Sequence, residues 1–231
     1  MTDTSWPLAA AALFWIALHL GIAGSPLRAL ATRRLGDNGF RAAFSLLSLL
    51  GILALAITYR RADGAPLWDL GPAGRWLPLL LMLPALWLFV GSVTGINPTA
   101  VGGERQLDRE DLVRGVFRVT RHPMLWAFAL WAGSHLAARG AMPDALLFGS
   151  LLVTALAGMA SIDRKRAAAA PAAWGRFAAA TSIVPFVAIL GRRNRLVWSE
   201  IGGWRLLLAV LAWGLLAALH PIVIGVPALP G

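Results

Sequence analysis

Six apolar runs separated by arginine-bearing connections set the plan of this chain. A run of roughly 17 to 25 apolar residues is long enough to cross the hydrocarbon core as a helix. Such runs occur at about Pro7–Gly24, Phe40–Tyr59, Trp76–Ile96, His122–Ala138, Pro143–Ile162 and Trp204–Ile224. The fourth is short and passes into the fifth through Arg139 and Gly140. A further apolar stretch, Ala178–Leu190, contains Pro185 and is too short to span, so it predicts an interfacial or re-entrant helix. In Asp108–Thr120, arginines interleave with Asp108, Glu110 and Asp111, a pattern that predicts a solvated or interfacial amphipathic helix. The expected fold class is all-α: a polytopic integral membrane helical bundle of about six transmembrane helices. No repeat, low-complexity linker or composition shift divides the sequence, so residues 1–231 are expected to form a single transmembrane domain.

Composition sharpens this picture. Hydrophobic residues make up 58% of the chain and charged residues only 14%, against about 25% charged in soluble domains. So few charges cannot cover a water-facing surface, and the apolar excess is left to face lipid. Cysteine is absent, which excludes disulfides, zinc–thiolate sites, cysteine-ligated iron–sulfur clusters and a thiol nucleophile. The segment Met1–Trp6 has an acid and no base, while Arg28, Arg33 and Arg34 follow the first run. That charge order is the reverse of a secretory signal's, so the first run reads as a retained helix.

A net charge of +10 raises nucleic acid as a partner. The basic residues are spread through the connections, however, and no nucleic-acid-binding motif accompanies them, so no nucleic acid is expected. They follow the positive-inside rule instead. With the N-terminus outside, 17 of the 21 basic residues fall on the inner side, leaving only Arg60, Arg61, Arg75 and Arg139 outside. Both termini are then expected outside, and membrane lipid is the expected partner, in a bacterial inner (plasma) membrane. Trp6, Trp68, Trp76, Trp198 and Trp204 fall near the ends of runs, as an interfacial aromatic belt would.

The candidate chemistry lies in four histidines, His19, His122, His135 and His220, all within or at the ends of apolar runs. Ionisable side chains in membrane helices are rare and usually face the bundle interior. Each has a tryptophan at helical spacing: Trp15 before His19, Trp126 after His122, Trp131 before His135 and Trp213 before His220. An imidazole beside a flat apolar wall suits a porphyrin, a polyene or a quinone, and it also suits ordinary core packing. His122 and His135 are separated by about 20 Å along one helix, so they cannot both ligate one iron. Predicted depth pairs His19 with His122, and His135 with His220. Arg121-His122-Pro123 opens the fourth run. It reads either as an interfacial anchor with a proline at the helix start, or as a cation and an imidazole presented to an anionic group. Asp163 ends the fifth run and is followed by Arg164, Lys165 and Arg166. No carboxylate pair lies within a run, and there is no Walker loop, GxGxxG or serine elbow.

Several segments taken together resemble the NnrU family and, through it, the 15-cis-zeta-carotene isomerase family. They are Leu18-His19-Leu20, the stretch from Gly115 to Met124, Leu130-Trp131-Ala132-Gly133-Ser134-His135, Asp163-Arg164-Lys165, and Thr181 to Phe186. The resemblance runs from about Phe14 to Phe186 and is most specific between Arg121 and His135. It implies an inner-membrane protein linked to nitrite and nitric oxide metabolism in denitrification, with haem b as its cofactor. His19 and His135 would be the axial metal ligands, with Trp15 and Trp131 beside the cofactor and His122 and Arg121 as the catalytic candidates. An enzyme of this kind would be a haem-dependent cis–trans isomerase acting on a polyene or other apolar substrate. Ala132 stands where the isomerase has a cysteine, and Met124 where its motif has glutamine. Arg-His-Pro is also similar to part of the isoprenylcysteine carboxyl methyltransferase pattern, a further alternative, although paired acids downstream are missing here.

Overall fold

A computed structural model of the protein describes residues 5–109 and 111–229, apart from the side chain of Glu104. Glu110, expected in the connection before the fourth run, lies outside the described residues, as does most of the segment weighed as a signal-peptide start. Helices are the regular structure of the described residues, joined by irregular connections, with one isolated antiparallel bridge between Pro66 and Ala141.

A helix forms at each of the six apolar runs. The first, α1, spans Trp6–Ile22, with Pro7 in its opening turn, where the missing N–H is not needed. Its last six residues, Ala17–Ile22, are wound as a π-helix. The second, α2, runs Leu27–Tyr59 and breaks at Gly36, whose φ of 70° lies in the left-handed region that glycine tolerates. The break separates an arginine-bearing start from the apolar span. Then follow α3 (Trp76–Val93), α4 (Pro123–Arg139) and α5 (Met142–Ala169). The shorter α6 covers Pro171–Ala180, and α7 covers Gly203–Val223.

Four of these helices are long and apolar enough to cross a membrane: Leu27–Tyr59, Gly71–Val93, Met142–Ala169 and Gly203–Val223, where α3 is counted with the single turn before it. Trp6–Ile22 is a shorter apolar helix. In the most apolar stretch of α7 only 6% of the residues are buried by protein. Water would not tolerate the remainder, so lipid must cover it. These features make the chain an integral membrane helical protein.

The backbone divides into two compact units. One comprises the residues through Leu77 together with Ala132–Ser161; the other comprises Pro78–Trp131 and the residues from Ile162 onward. In the first unit α1 packs on α2, where Gly51 leaves room for the rings of Phe14 and Trp15. The α4–α5 turn is also fixed there. Gly140, at φ 70°, offers its carbonyl to the N–H groups of Leu67 (2.7 Å) and Trp68 (3.2 Å).

The second unit has its own core. Leu88 and Ala127 meet Leu107, Leu112, Val116 and Phe117 from the α3–α4 connection, and Trp174 and Phe177 from α6. This core explains why Asp108–Thr120 is not the expected amphipathic helix. Leu112, Val116 and Phe117 are drawn inward, Gly115 turns the chain at φ 54°, and only Val116–Val119 makes a helical turn. The predicted helix Ala178–Leu190 is likewise divided. The chain leaves α6 at Ala180, runs irregularly from Thr181 to Phe186 and makes one helical turn at Val187–Leu190. Thr181 and Ser182 are buried in that segment. Their hydroxyls serve its backbone, with Thr181 donating to the Phe177 carbonyl and Ser182 accepting from the Ala188 N–H. Such local bonds compete with continued helix.

Candidate functional site

In the second unit, three residues from the sequence inventory meet in one cluster. Thr120 leaves helical geometry just before α4, so Arg121 and His122 sit at the mouth of that helix with Pro123 as its first residue. His122 is 1% exposed. Its Nε2 lies 2.7 Å from Asp163 Oδ1, and Arg121 Nε donates to Asp163 Oδ2 at 2.9 Å. Asp163 thus uses one oxygen for the imidazole and the other for the guanidinium. The Arg121 side chain also reaches the Thr181 carbonyl (3.3 Å) and lies over the Trp174 ring, 6.0 Å from its centroid.

The backbone completes the clamp. Arg121 N–H donates to the Ser182 carbonyl (2.9 Å), Phe186 N–H to the Val119 carbonyl (2.8 Å), and Thr120 Oγ1 to the Ile183 carbonyl (2.6 Å). The Trp126 indole donates to the same Ile183 carbonyl at 2.8 Å. Trp126 therefore serves the Thr181–Phe186 segment, and the Arg121 charge is met by a carboxylate within the chain. His122 Nδ1 is buried with no hydrogen-bond partner among the described residues. With Nε2–H donating to Asp163, Nδ1 is left as a buried acceptor nitrogen.

In the first unit His19 lies on the π-wound end of α1. Single π turns inside α-helices recur at functional sites, because they free a carbonyl and re-aim side chains. Here His19 Nδ1 lies 2.9 Å from the Trp15 carbonyl. A carbonyl can only accept, so Nδ1 carries the proton and Nε2 is the lone-pair nitrogen. The His19 ring is held 4.0 Å from Trp15 and 5.1 Å from Phe44, centroid to centroid. The Trp15 indole N–H is buried without an acceptor among the described residues.

His135 belongs to the same unit, its ring 5.2 Å from that of Phe148. Trp131 belongs to the second unit and lines an apolar pocket of about 290 Å³ with Met82, Leu86, Phe89 and Phe128. His220 is half-buried, and its Nδ1 bonds the Val226 carbonyl (2.6 Å) just beyond α7; Trp213 donates to the Leu79 carbonyl.

Two polar clusters had no counterpart in the sequence reading. In the first unit, Tyr59 donates to Asp144 (2.5 Å), which also receives Arg139 (3.3 Å) and the Ala141 N–H (3.1 Å). In the second, Glu200 accepts two bonds from Arg118 (2.7 and 3.0 Å) and one from the Gly115 N–H (3.0 Å). The sequence signal for both was a lone acid in a stretch poor in acids, where burial obliges it to find a base or a donor.

These features define an all-helical membrane protein with an Arg-His-Pro clamp at one helix mouth and a histidine on a π turn. The NnrU protein family model matches residues 7–228, nearly the whole chain, and the protein belongs to the NnrU family. Comparison with curated proteins gives no match. Comparison with solved structures gives none either.

Proposed function

We propose that this NnrU-family membrane protein would hold haem b through Nε2 of His19 together with His135, and serves nitrite and nitric oxide metabolism in the bacterial inner membrane. The observation that carries the reading is the bond from His19 Nδ1 to the Trp15 carbonyl at 2.9 Å. Histidines that ligate metals commonly donate their other ring N–H to a carbonyl or carboxylate, which fixes the tautomer and the ring orientation. The donor set fits. One nitrogen is committed, the other is the acceptor, and Trp15 and Phe44 supply flat apolar contact. The buried, unmatched Trp15 N–H adds a hydrogen-bond donor beside that ring. Bound haem would supply redox chemistry. The chain's own part is to hold the imidazole, keep water away and orient the ring.

The decisive experiment is the absorption spectrum of protein purified from haem-replete cells. A Soret band lost in His19→Ala and altered in His135→Ala supports the reading. No band, or one indifferent to losing both histidines, rejects it.

A second reading, a polyene cis–trans isomerase, is favoured by the apolar pocket that Trp131 lines. Its walls are aromatic and aliphatic, and its volume suits part of a flat chain. Retention of a carotenoid by the purified protein, lost on Trp131→Ala, tests it. The methyltransferase alternative is weakened because Asp163, the acid facing the Arg-His-Pro segment, is already engaged by Arg121 and His122.

A further inference from the structure

We infer that the second unit carries a binding groove for the phosphate of an anionic phospholipid, built around Arg192 and Arg195. The groove, about 780 Å³, is lined by Arg118, Arg192, Arg193 and Arg195 with Asn194 and apolar neighbours.

The four arginines have different duties. Arg118 is held by Glu200, and Arg193 spans the carbonyls of Ala178, Ala179 and Thr181 at the end of α6. Asn194 caps the same helix end through the Ala180 carbonyl. These groups are the frame of the groove. Arg192 and Arg195 are exposed, and neither side chain has a partner among the described residues. The backbone is bent to place one of them: Arg192 sits at φ 54°, a left-handed conformation uncommon outside glycine. It is braced by the N–H groups of Arg193 and Asn194, which both donate to the Ala188 carbonyl. Glu200 is the carboxylate nearest in sequence, and Arg118 consumes it. Two guanidiniums therefore face the groove with no anion to meet them among the described residues, and guanidinium geometry matches phosphate oxygens.

What directs the groove to lipid is its surroundings. Leu190 is 79% exposed and Trp198 77% exposed, with Phe186 and Val187 also bare. The lipid-facing α7 begins at Gly203, with Arg205 stacked 4.7 Å from the Trp204 ring. Exposed leucine, phenylalanine and tryptophan beside arginines are the composition of a membrane–water boundary. Charge asymmetry of the sequence assigns this connection to the cytoplasmic side, where anionic headgroups give the leaflet a negative surface.

The test uses the full-length protein in detergent, titrated with phosphatidylglycerol and phosphatidylcholine and followed by native mass spectrometry and thermal unfolding. Phosphatidylglycerol is expected to stay bound and raise the melting temperature, and its affinity should fall as salt rises. The double variant Arg192→Gln/Arg195→Gln should bind it about 25-fold more weakly, from about fivefold per arginine near a charged surface. Arg192→Lys/Arg195→Lys should recover most of the loss. Equal binding of phosphatidylcholine, a flat salt dependence, or undiminished affinity in the glutamine variant would overturn the inference. Equal protection by inorganic phosphate would overturn the lipid assignment in favour of a soluble anion. The salt titration needs only the native protein, so a variant that misfolds leaves the test intact.

Discussion

Nε2 of His122 lies 2.7 Å from Oδ1 of Asp163, while the other oxygen of that carboxylate receives Arg121. Two adjacent residues thus share one acid, 42 positions beyond Arg121 and 41 beyond His122. The arrangement joins the mouth of α4 to the C-terminal part of α5 within one unit. It makes Arg-His-Pro a clamp around an internal ion pair.

Asp163→Asn is expected to be among the most damaging single changes in the second unit. It strips the countercharge from a guanidinium that is only 13% exposed and leaves one amide oxygen where two carboxylate oxygens served the guanidinium and the buried imidazole. Breaking a pair of this kind by removing one partner costs about 3 kcal/mol, and the melting temperature in detergent should fall by roughly 6–12 °C. An unchanged melting temperature would show that the clamp contributes nothing to the fold.

The Glu200 carboxyl should give the protein an acid-side stability slope. Its hydrogen bonds from Arg118 hold it below the ordinary glutamate value of 4.5. A depressed folded value means stability that is present above pH 4.5 and is lost as pH falls through the folded value. Glu200→Gln should therefore melt below the native protein at neutral pH, with the gap closing in acid. Melting curves between pH 3 and pH 7 measure this directly, and parallel curves would refute it.

Gly91 and Val116 are matched by size. A Cβ on Gly91 would sit 2.4 Å from Val116 Cγ1, and valine is stiff about χ1 and cannot swing away. Gly91→Ala is expected to cost about 1–3 kcal/mol, and Gly91→Ala/Val116→Ala should recover part of it. No recovery in a double-mutant cycle would mean that the two positions are not coupled.

Gly140→Ala should be worse still. The position has φ 70°, and its Cβ would stand 2.0 Å from the Trp68 carbonyl oxygen, a backbone atom with no room to yield. A loss of about 3 kcal/mol or more is expected, together with faster protease cleavage in the α4–α5 turn. A fully resistant variant would contradict the turn geometry.

The apolar runs were readable because hydropathy acts over some twenty residues at once, and the chain is helical at each of the six. The breaks were harder. Gly36 gives no signal of its own inside an arginine-rich lead, and only its dihedral reveals the discontinuity in α2. Asp108–Thr120 looked amphipathic because its acids and arginines alternate, but Leu112, Val116 and Phe117 were recruited to a core whose other half lies in α6, some sixty residues away. The His19–Trp15 neighbourhood was legible from i, i+4 spacing. The meeting of Arg121 and His122 with Asp163 was not, since pairing across such a distance depends on tertiary packing that no local pattern encodes. Glu200 and Asp144 escaped notice for the same reason.

Winding Ala17–Ile22 as a π-helix sets the angular phase of α1. Relaxation of the same residues into ordinary α geometry, with no change of length, would rotate its two halves against each other by about 100°. Either Phe14 and Trp15 would keep their seat over Gly51, or His19 would keep its place beside Phe44, but not both. Winding in this helix is thus a rotary setting: straightening it at constant length would act like a change of side chain at every position on one side, whereas loss of one residue from the π turn would leave the two halves in phase.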